Sequence, residues 1–161
     1  MPKSSKPRKK YKRKGLILDP VAYVRESLTP VANHSSYLVD LKIKNHSAMT
    51  DLVQGRATKE TMNTLIATNN IVEAFFRMGF GREYESILTA GCTAITNISV
   101  RGATTGRFTP YASEINALNE HMELHDAQMA VVTVKDMEEA IKMVRREHAA
   151  GKCQRIIEGV S

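Results

Sequence analysis

The sequence predicts an all-α protein, a single compact bundle of about five to six helices behind a disordered, strongly basic N-terminal arm. Three observations predict it. Apolar residues recur at spacings of three and four over segments of helical length, and Gly, Pro and Thr or Asp signals punctuate those segments. The only alternating or β-branched stretches, 16–18 and 131–134, are short and flanked by stronger helix signals. A length of 161 residues suits one core, divided here into an arm at 1–15, a bundle at 16–151 and a C-terminal tail at 152–161.

Taken in order, Asp19-Pro20 joins an N-cap residue to one suited to the first helical turn, so a short helix is predicted over about 19–28, stopped near Thr29-Pro30. Residues 30–35 form a loop. A helix over about 36–54 follows, with Leu38, Leu41, Ala48, Met49, Leu52 and Val53 on one face and Gly55 at its C-terminal end. Thr58-Lys59-Glu60 then supplies a cap and an acidic first turn for a helix that runs to Gly79. Its Met62, Leu65, Ile66, Val72, Phe75, Phe76 and Met78 cover a wide arc, which places it at the centre of the bundle.

The next helix, about 82–101, carries Tyr84, Ile87, Leu88, Cys92, Ile95 and Ile98 at spacings of three and four. Its Thr and Ile content lowers intrinsic propensity, so packing holds it. Residues 101–107 form a loop, and Thr109-Pro110 or Ser113 caps a helix that ends near 132. There Ile115, Leu118, Met122, His125, Met129 and Val132 step alternately by three and four. Thr133-Val-Lys-Asp136 matches a capping box for a last helix, with Met137, Ile141, Val144 and His148 on its seam and Gly151 beyond it. The short connection predicts that these last two helices pair as an antiparallel hairpin.

Charge divides the chain sharply. Residues 1–14 hold eight of the 23 basic residues and no acidic one, whereas the other 147 residues carry 15 basic against 17 acidic, a net of −2. No apolar run approaches the roughly 18–20 residues of a membrane span, and the N-terminus lacks the apolar core of a secretory signal. Cys92 and Cys153 are too few for a disulfide scaffold and suit reduced thiols, so a cytoplasmic setting with no membrane partner is expected.

The arm is the strongest functional signal. Its Lys3, Lys6, Arg8, Lys9, Lys10, Lys12, Arg13 and Lys14, interleaved with Pro2, Pro7 and Ser4-Ser5, cannot form a core and suit a phosphate backbone, with Tyr11 available to stack on a base. As a bland alternative, such a run solubilises or targets the chain and binds no specific ligand. The 101–107 loop adds Arg101 and Arg107, two threonine hydroxyls and two glycines before a helix, a candidate phosphate perch. It lacks the Gly-Lys-[Ser/Thr] ending of a P-loop, and Gly102 equally serves as a plain helix C-cap.

His121 and His125, at i and i+4 with Asp126 alongside, have the spacing to share a metal ion, but the seam position of His125 favours a core histidine with a hydrogen-bond partner. No metal and no cofactor is therefore expected. Cys92 reads as a small packed hydrophobe, Cys153 as exposed, and the eight methionines as core filler. Asn69-Asn70 suits either a buried hydrogen-bonded pair or a polar contact between subunits.

Lys44-Asn45-His46, the segment from Arg101 to Phe108, Ala117-Leu-Asn119 and His125-Asp126-Ala-Gln128 resemble small uncharacterised proteins of bacteriophages and prophages of Gram-negative bacteria, which also begin with a Lys/Arg/Pro-rich arm. The resemblance implies a phage setting and a bacterial host cytoplasm, and brings no activity with it.

These readings lead to a non-enzymatic accessory protein that binds DNA or RNA through the arm, with Arg101 and Arg107 as contacts from the body. The joint at 55–58 has the length of a helix-turn-helix, but the helix after it is too apolar to read bases, so non-specific binding is expected. The alternative is a protein–protein module that binds a host protein, or a homo-oligomeric structural protein, whose affinity resides in the body. No nucleophile-and-base pair, carboxylate pair or metal cluster stands out to support an enzyme.

Overall fold

The computed structural model describes residues 27–33 and 35–152. Among them run five α-helices: α1 (Ser35–Val53), α2 (Lys59–Met78), α3 (Glu85–Thr105), α4 (Ala112–Val131) and α5 (Val134–Ala149). Single 3-10 turns lie at Val31–Asn33 and Arg82–Tyr84, and no strand is present in this range. The all-α class is thus as predicted. The basic arm, all but the last residues of the helix expected over 19–28, the tail after Lys152 and the side chain of Leu38 lie outside the described residues.

Local chemistry sets most boundaries. The Thr58 hydroxyl accepts from the Thr61 amide at 3.2 Å while the Thr58 amide donates to the Thr61 hydroxyl at 3.1 Å, closing a capping box at the start of α2. Thr133 and Asp136 do the same for α5, with the Thr133 amide 2.9 Å from Asp136 Oδ2. At the start of α4 neither Thr109 nor Ser113 caps. The N-cap position falls on Tyr111, whose amide donates to the Glu114 carboxylate at 2.7 Å.

Helix α2 is central, touching each of the other four helices. Met62, Leu65, Ile66, Val72 and Phe75 are buried along it, as its wide apolar arc implied. One part of the core joins Leu52 of α1, Met62 and Leu65 of α2, Ile95 and Ile98 of α3 and Leu118 of α4. A second part gathers Val31, Phe75, Met129, Val132, Met137 and Ala140. The most extensive pairing is between α3 and α4, and small residues of α3 permit it. A methyl group at Gly91 would sit 2.4 Å from Cγ of His121, and one at Gly102 would sit 2.0 Å from Cδ1 of Phe108.

Several expectations are corrected. The last two helices do not form a hairpin, because Val132 and Thr133 are both extended, with ψ of 149° and 167°, and send α5 across onto α2. The incoming chain occupies the corner instead. The Val31 amide donates to the Val132 carbonyl at 2.9 Å and the Val134 amide to the Thr29 carbonyl at 3.1 Å, an isolated antiparallel bridge between Pro30 and Thr133. Val53 and His148, expected on buried seams, are exposed. In α4, His121, Leu124 and Gln128 are buried beside the predicted seam, because the helix is covered from α2, α3 and the 3-10 turn at Val31–Asn33 rather than from one side.

Candidate functional site

The eight basic residues Lys3 to Lys14 lie outside the described residues. Their attachment is described, since the bridge of Thr29 and Val31 to the 132–134 corner fixes the chain at the C-terminal end of α4.

The 101–107 segment is not a loop. Helix α3 continues to Thr105, Gly102 lies inside it, and the cap is Gly106, whose φ of 74° is the left-handed conformation that favours glycine. Arg101 is therefore a helical side chain, and it is already engaged. Its Nη1 and Nη2 donate to Glu114 Oε2 and Oε1 at 3.0 and 2.8 Å, Nη1 also meets the Thr109 carbonyl, and the guanidinium lies 4.0 Å from the Tyr111 ring centroid. Burial alone raises the Glu114 pKa. The Arg101 bonds and the Tyr111 amide outweigh it and hold the carboxyl below its ordinary range. This clamp ties the end of α3 to the start of α4 and leaves Arg101 without the free fork that a phosphate contact needs. Arg107, beyond the cap, is exposed.

The two histidines of α4 part company. His121 is 1% exposed against Gly91, and neither of its ring nitrogens has a hydrogen-bond partner among the described residues; the Ile87 carbonyl is near enough to favour a proton but short of bonding geometry. His125 is 3% exposed, with Nε2 3.2 Å from the Asn45 amide nitrogen of α1. Donation by Asn45 leaves the neutral imidazole's proton on Nδ1. Burial pushes both histidines down to about 4, so both are neutral at pH 7. Asp126 turns outward and accepts from His46 Nε2 at 3.1 Å, with Lys42 Nζ at 3.8 Å. The side chains weighed as metal ligands thus diverge, and no group of three His, Cys, Asp or Glu converges among the described residues.

Cys92 is half-buried, and its thiol donates to Glu73 Oε1 and Asn69 Oδ1, each at 3.1 Å. Burial, then the Glu73 carboxylate, pushes it up to about 12, far from a nucleophile's range. Asn69 is buried and accepts from Cys92, whereas Asn70 is only partly buried and lines an open groove with Ile71, Ile141 and Arg145, so the two do not form a buried pair. Cys153 lies outside the described residues.

Two features carry no local sequence signature of a site. A pocket of about 180 Å³ opens between α1, α2 and α5, with Leu41, Ile71, Met137 and Ile141 on its walls and Asn45 and His125 at its polar end. A second, of about 220 Å³, lies along the α3–α4 pair, where Tyr84, Ile87, Leu124 and Ala127 form an apolar floor beside Glu120 and Glu123. The charge pattern around the second is legible in the sequence. No Lys or Arg occurs over 83–100 or 108–134, so between Glu83 and Val134 only Arg101 and Arg107 are cationic, both at the opposite end of the α3–α4 pair from Glu83 and Glu85. No described helix is long and apolar enough to cross a membrane. No family model, curated protein or solved structure matches the chain.

Proposed function

We propose that the chain is a non-enzymatic, phage-type accessory protein of the bacterial cytoplasm that binds nucleic acid, with little sequence preference, through residues 1–14. One observation carries the reading: eight cations and no acid in fourteen residues, joined to a remainder of net charge −2. Such an arm gains affinity by releasing counterions from phosphates, and charge alone distinguishes no base edges. The central, covered position of α2 supports the lack of sequence preference, since the helix that follows the 55–58 joint is packed against the other four and is not free to enter a groove. Arg107 remains a candidate body contact. Arg101 does not, because its fork is spent on Glu114.

Fluorescence anisotropy of the full chain and of the chain lacking 1–14 tests this on duplex DNA, single-stranded DNA and RNA. With six to eight phosphates neutralised, log K should fall against log salt with a slope of roughly −5 to −7 on duplex DNA and less steeply on single strands. Deletion should abolish binding. Affinity no greater than that of an unrelated basic peptide, or affinity that survives the deletion, would overturn the reading.

A second reading, binding of a host protein or of another copy, is favoured by Val39 and Ile43, which are 52% and 62% exposed one turn apart on α1. It predicts an association that survives loss of the arm and is weakened by Ile43→Ser. Sedimentation of the full chain reports the homo-oligomer directly.

A further inference from the structure

We propose that the groove along α3 and α4 is the resting place of the protein's own basic arm, which docks there in the same molecule and must be displaced by a nucleic acid. Three observations converge on that occupant. The first is shape and chemistry: an apolar floor of Tyr84, Ile87, Leu124 and Ala127 beside the carboxylates of Glu120 and Glu123 suits side chains with a greasy stem and a cationic head, or the ring of Tyr11 flanked by lysines.

The second is charge. From Glu83 to Val134 the chain carries six carboxylates and two arginines, and one of those arginines is neutralised by Glu114. The groove lies at the end away from Arg101 and Arg107, with Glu83 and Glu85 exposed on either side of Tyr84 and one cation, Arg82, beside them, its guanidinium donating to the Arg77 carbonyl at 3.5 Å. Against a segment of eight positive charges, this is the complementary surface.

The third is where the chain enters. The bridge of Thr29 and Val31 to the 132–134 corner puts the root of the arm at the C-terminal end of α4. At 1.5 Å per residue, Ala127 and Glu120 lie about 8 and 18 Å along the helix axis from Val132. Residues 15–26 can span up to about 40 Å. The arm therefore reaches the groove with chain to spare, at an effective concentration that no free peptide matches. The last turn of α4 has no basic residue to oppose its approach.

The contact itself is independent of the nucleic-acid reading; its consequence, competition with phosphates, rests on it. If the arm is docked for half to nine-tenths of the time, apparent affinity for nucleic acid is lowered about two- to tenfold, because only the undocked fraction is competent. Short anions, which cannot replace all the contacts at once, would displace it poorly.

The contact is tested first in the full chain without nucleic acid. A spin label at Ser5→Cys, with Cys153→Ser and the protonated, half-buried Cys92 left in place, should broaden the amides of Tyr84, Ile87, Glu123 and Ala127 at about 50 mM salt and release them at about 500 mM, as screening shortens. Glu120→Gln with Glu123→Gln, at exposed positions, should abolish the broadening. Broadening that is absent, uniform over the surface or unchanged in the double variant overturns the proposal. So does broadening that passes from labelled to unlabelled copies when the two are mixed. The competition is then tested by anisotropy, where the double variant should bind nucleic acid two- to tenfold more tightly. Equal affinity of the two proteins overturns the competition. A full chain that binds no nucleic acid while the broadening is present removes the proposed function and leaves the contact standing.

Discussion

Acidification should destabilise this protein through two buried histidines, beginning near pH 6.5. His121 and His125 are held near about 4 by burial, while a histidine in the unfolded chain titrates near 6.5. Above about pH 6.5 neither state holds a proton at these sites and stability is full. Between about 6.5 and 4 the unfolded chain takes up two protons that the folded chain refuses, so stability falls as pH falls; below about 4 both states are charged and the loss stops. A gap of about 2.5 pH units is worth about 3 kcal/mol per histidine. The pair then removes about 6 kcal/mol, comparable with the whole stability of a domain of this size, at close to 3 kcal/mol per pH unit in the steep part. Glu114, held below its ordinary range, loses its contribution only as pH falls below about 4.5, so pH 5–6.5 isolates the histidines. Urea titrations followed by helical circular dichroism at pH 7.5, 6.5, 5.75 and 5 measure the slope. His121→Phe, which keeps a flat ring against Gly91, should halve it. A stability that is level from pH 6.5 to 5, or a slope unchanged in His121→Phe, would refute the argument.

Three further outcomes follow from individual contacts. Glu114→Ala removes both carboxylate bonds to Arg101 and the acceptor for the Tyr111 amide, and should cost about 2–3 kcal/mol in chemical denaturation, whereas Arg101→Lys, which keeps the charge without the planar fork, should cost about 1 kcal/mol. Gly91→Ala and Gly102→Ala should each destabilise by about 2 kcal/mol or more, read as a lowered thermal midpoint, because the added methyl meets the His121 or the Phe108 ring inside van der Waals contact; an unchanged midpoint would mean that α3 and α4 are not this close. Cys92, with its thiol pushed up to about 12, should react with a disulfide reagent at pH 8 at least about 100-fold more slowly in the folded chain than in urea, and equal rates would contradict its burial and its bonds to Glu73 and Asn69.

The parts of this fold that were legible in the sequence are those decided within a few residues. The cap at Thr58, the capping box at Thr133 and the left-handed glycine after α2 need only a neighbour three or four positions away. The wide apolar arc of α2 likewise announced a helix covered on every side. The errors lie where distant residues decide. Position 102 inside the helix is glycine because Phe108 packs where a side chain would be, and Arg101 is engaged because Glu114 lies thirteen residues on. The length of the 132–133 connection limits how far α5 can go but not its direction, which is set by a segment about 100 residues earlier in the chain. His121 falls off the three-four seam and is still among the most buried side chains, because the space it fills is an absent Cβ on another helix.

The distribution of charge bears on how a nucleic acid held by the arm would lie. On the proposed reading, affinity from residues 1–14 would carry no orientation of its own, since it rests on charge alone. The body supplies the asymmetry. On the α3–α4 surface Glu83, Glu85, Glu120 and Glu123 outnumber Arg82 and would repel a phosphate backbone, whereas most cations of the described body lie on α1, α2 and α5. A duplex captured by the arm would therefore be steered away from the α3–α4 groove, by the same carboxylates proposed to hold the arm when no duplex is present. One patch of acid so serves both as a stand-in for phosphate and as a repellent to it. Glu120→Lys with Glu123→Lys removes both effects together, and should strengthen binding by more than the neutral Gln pair does at low salt, with the difference between the two pairs disappearing as salt is raised.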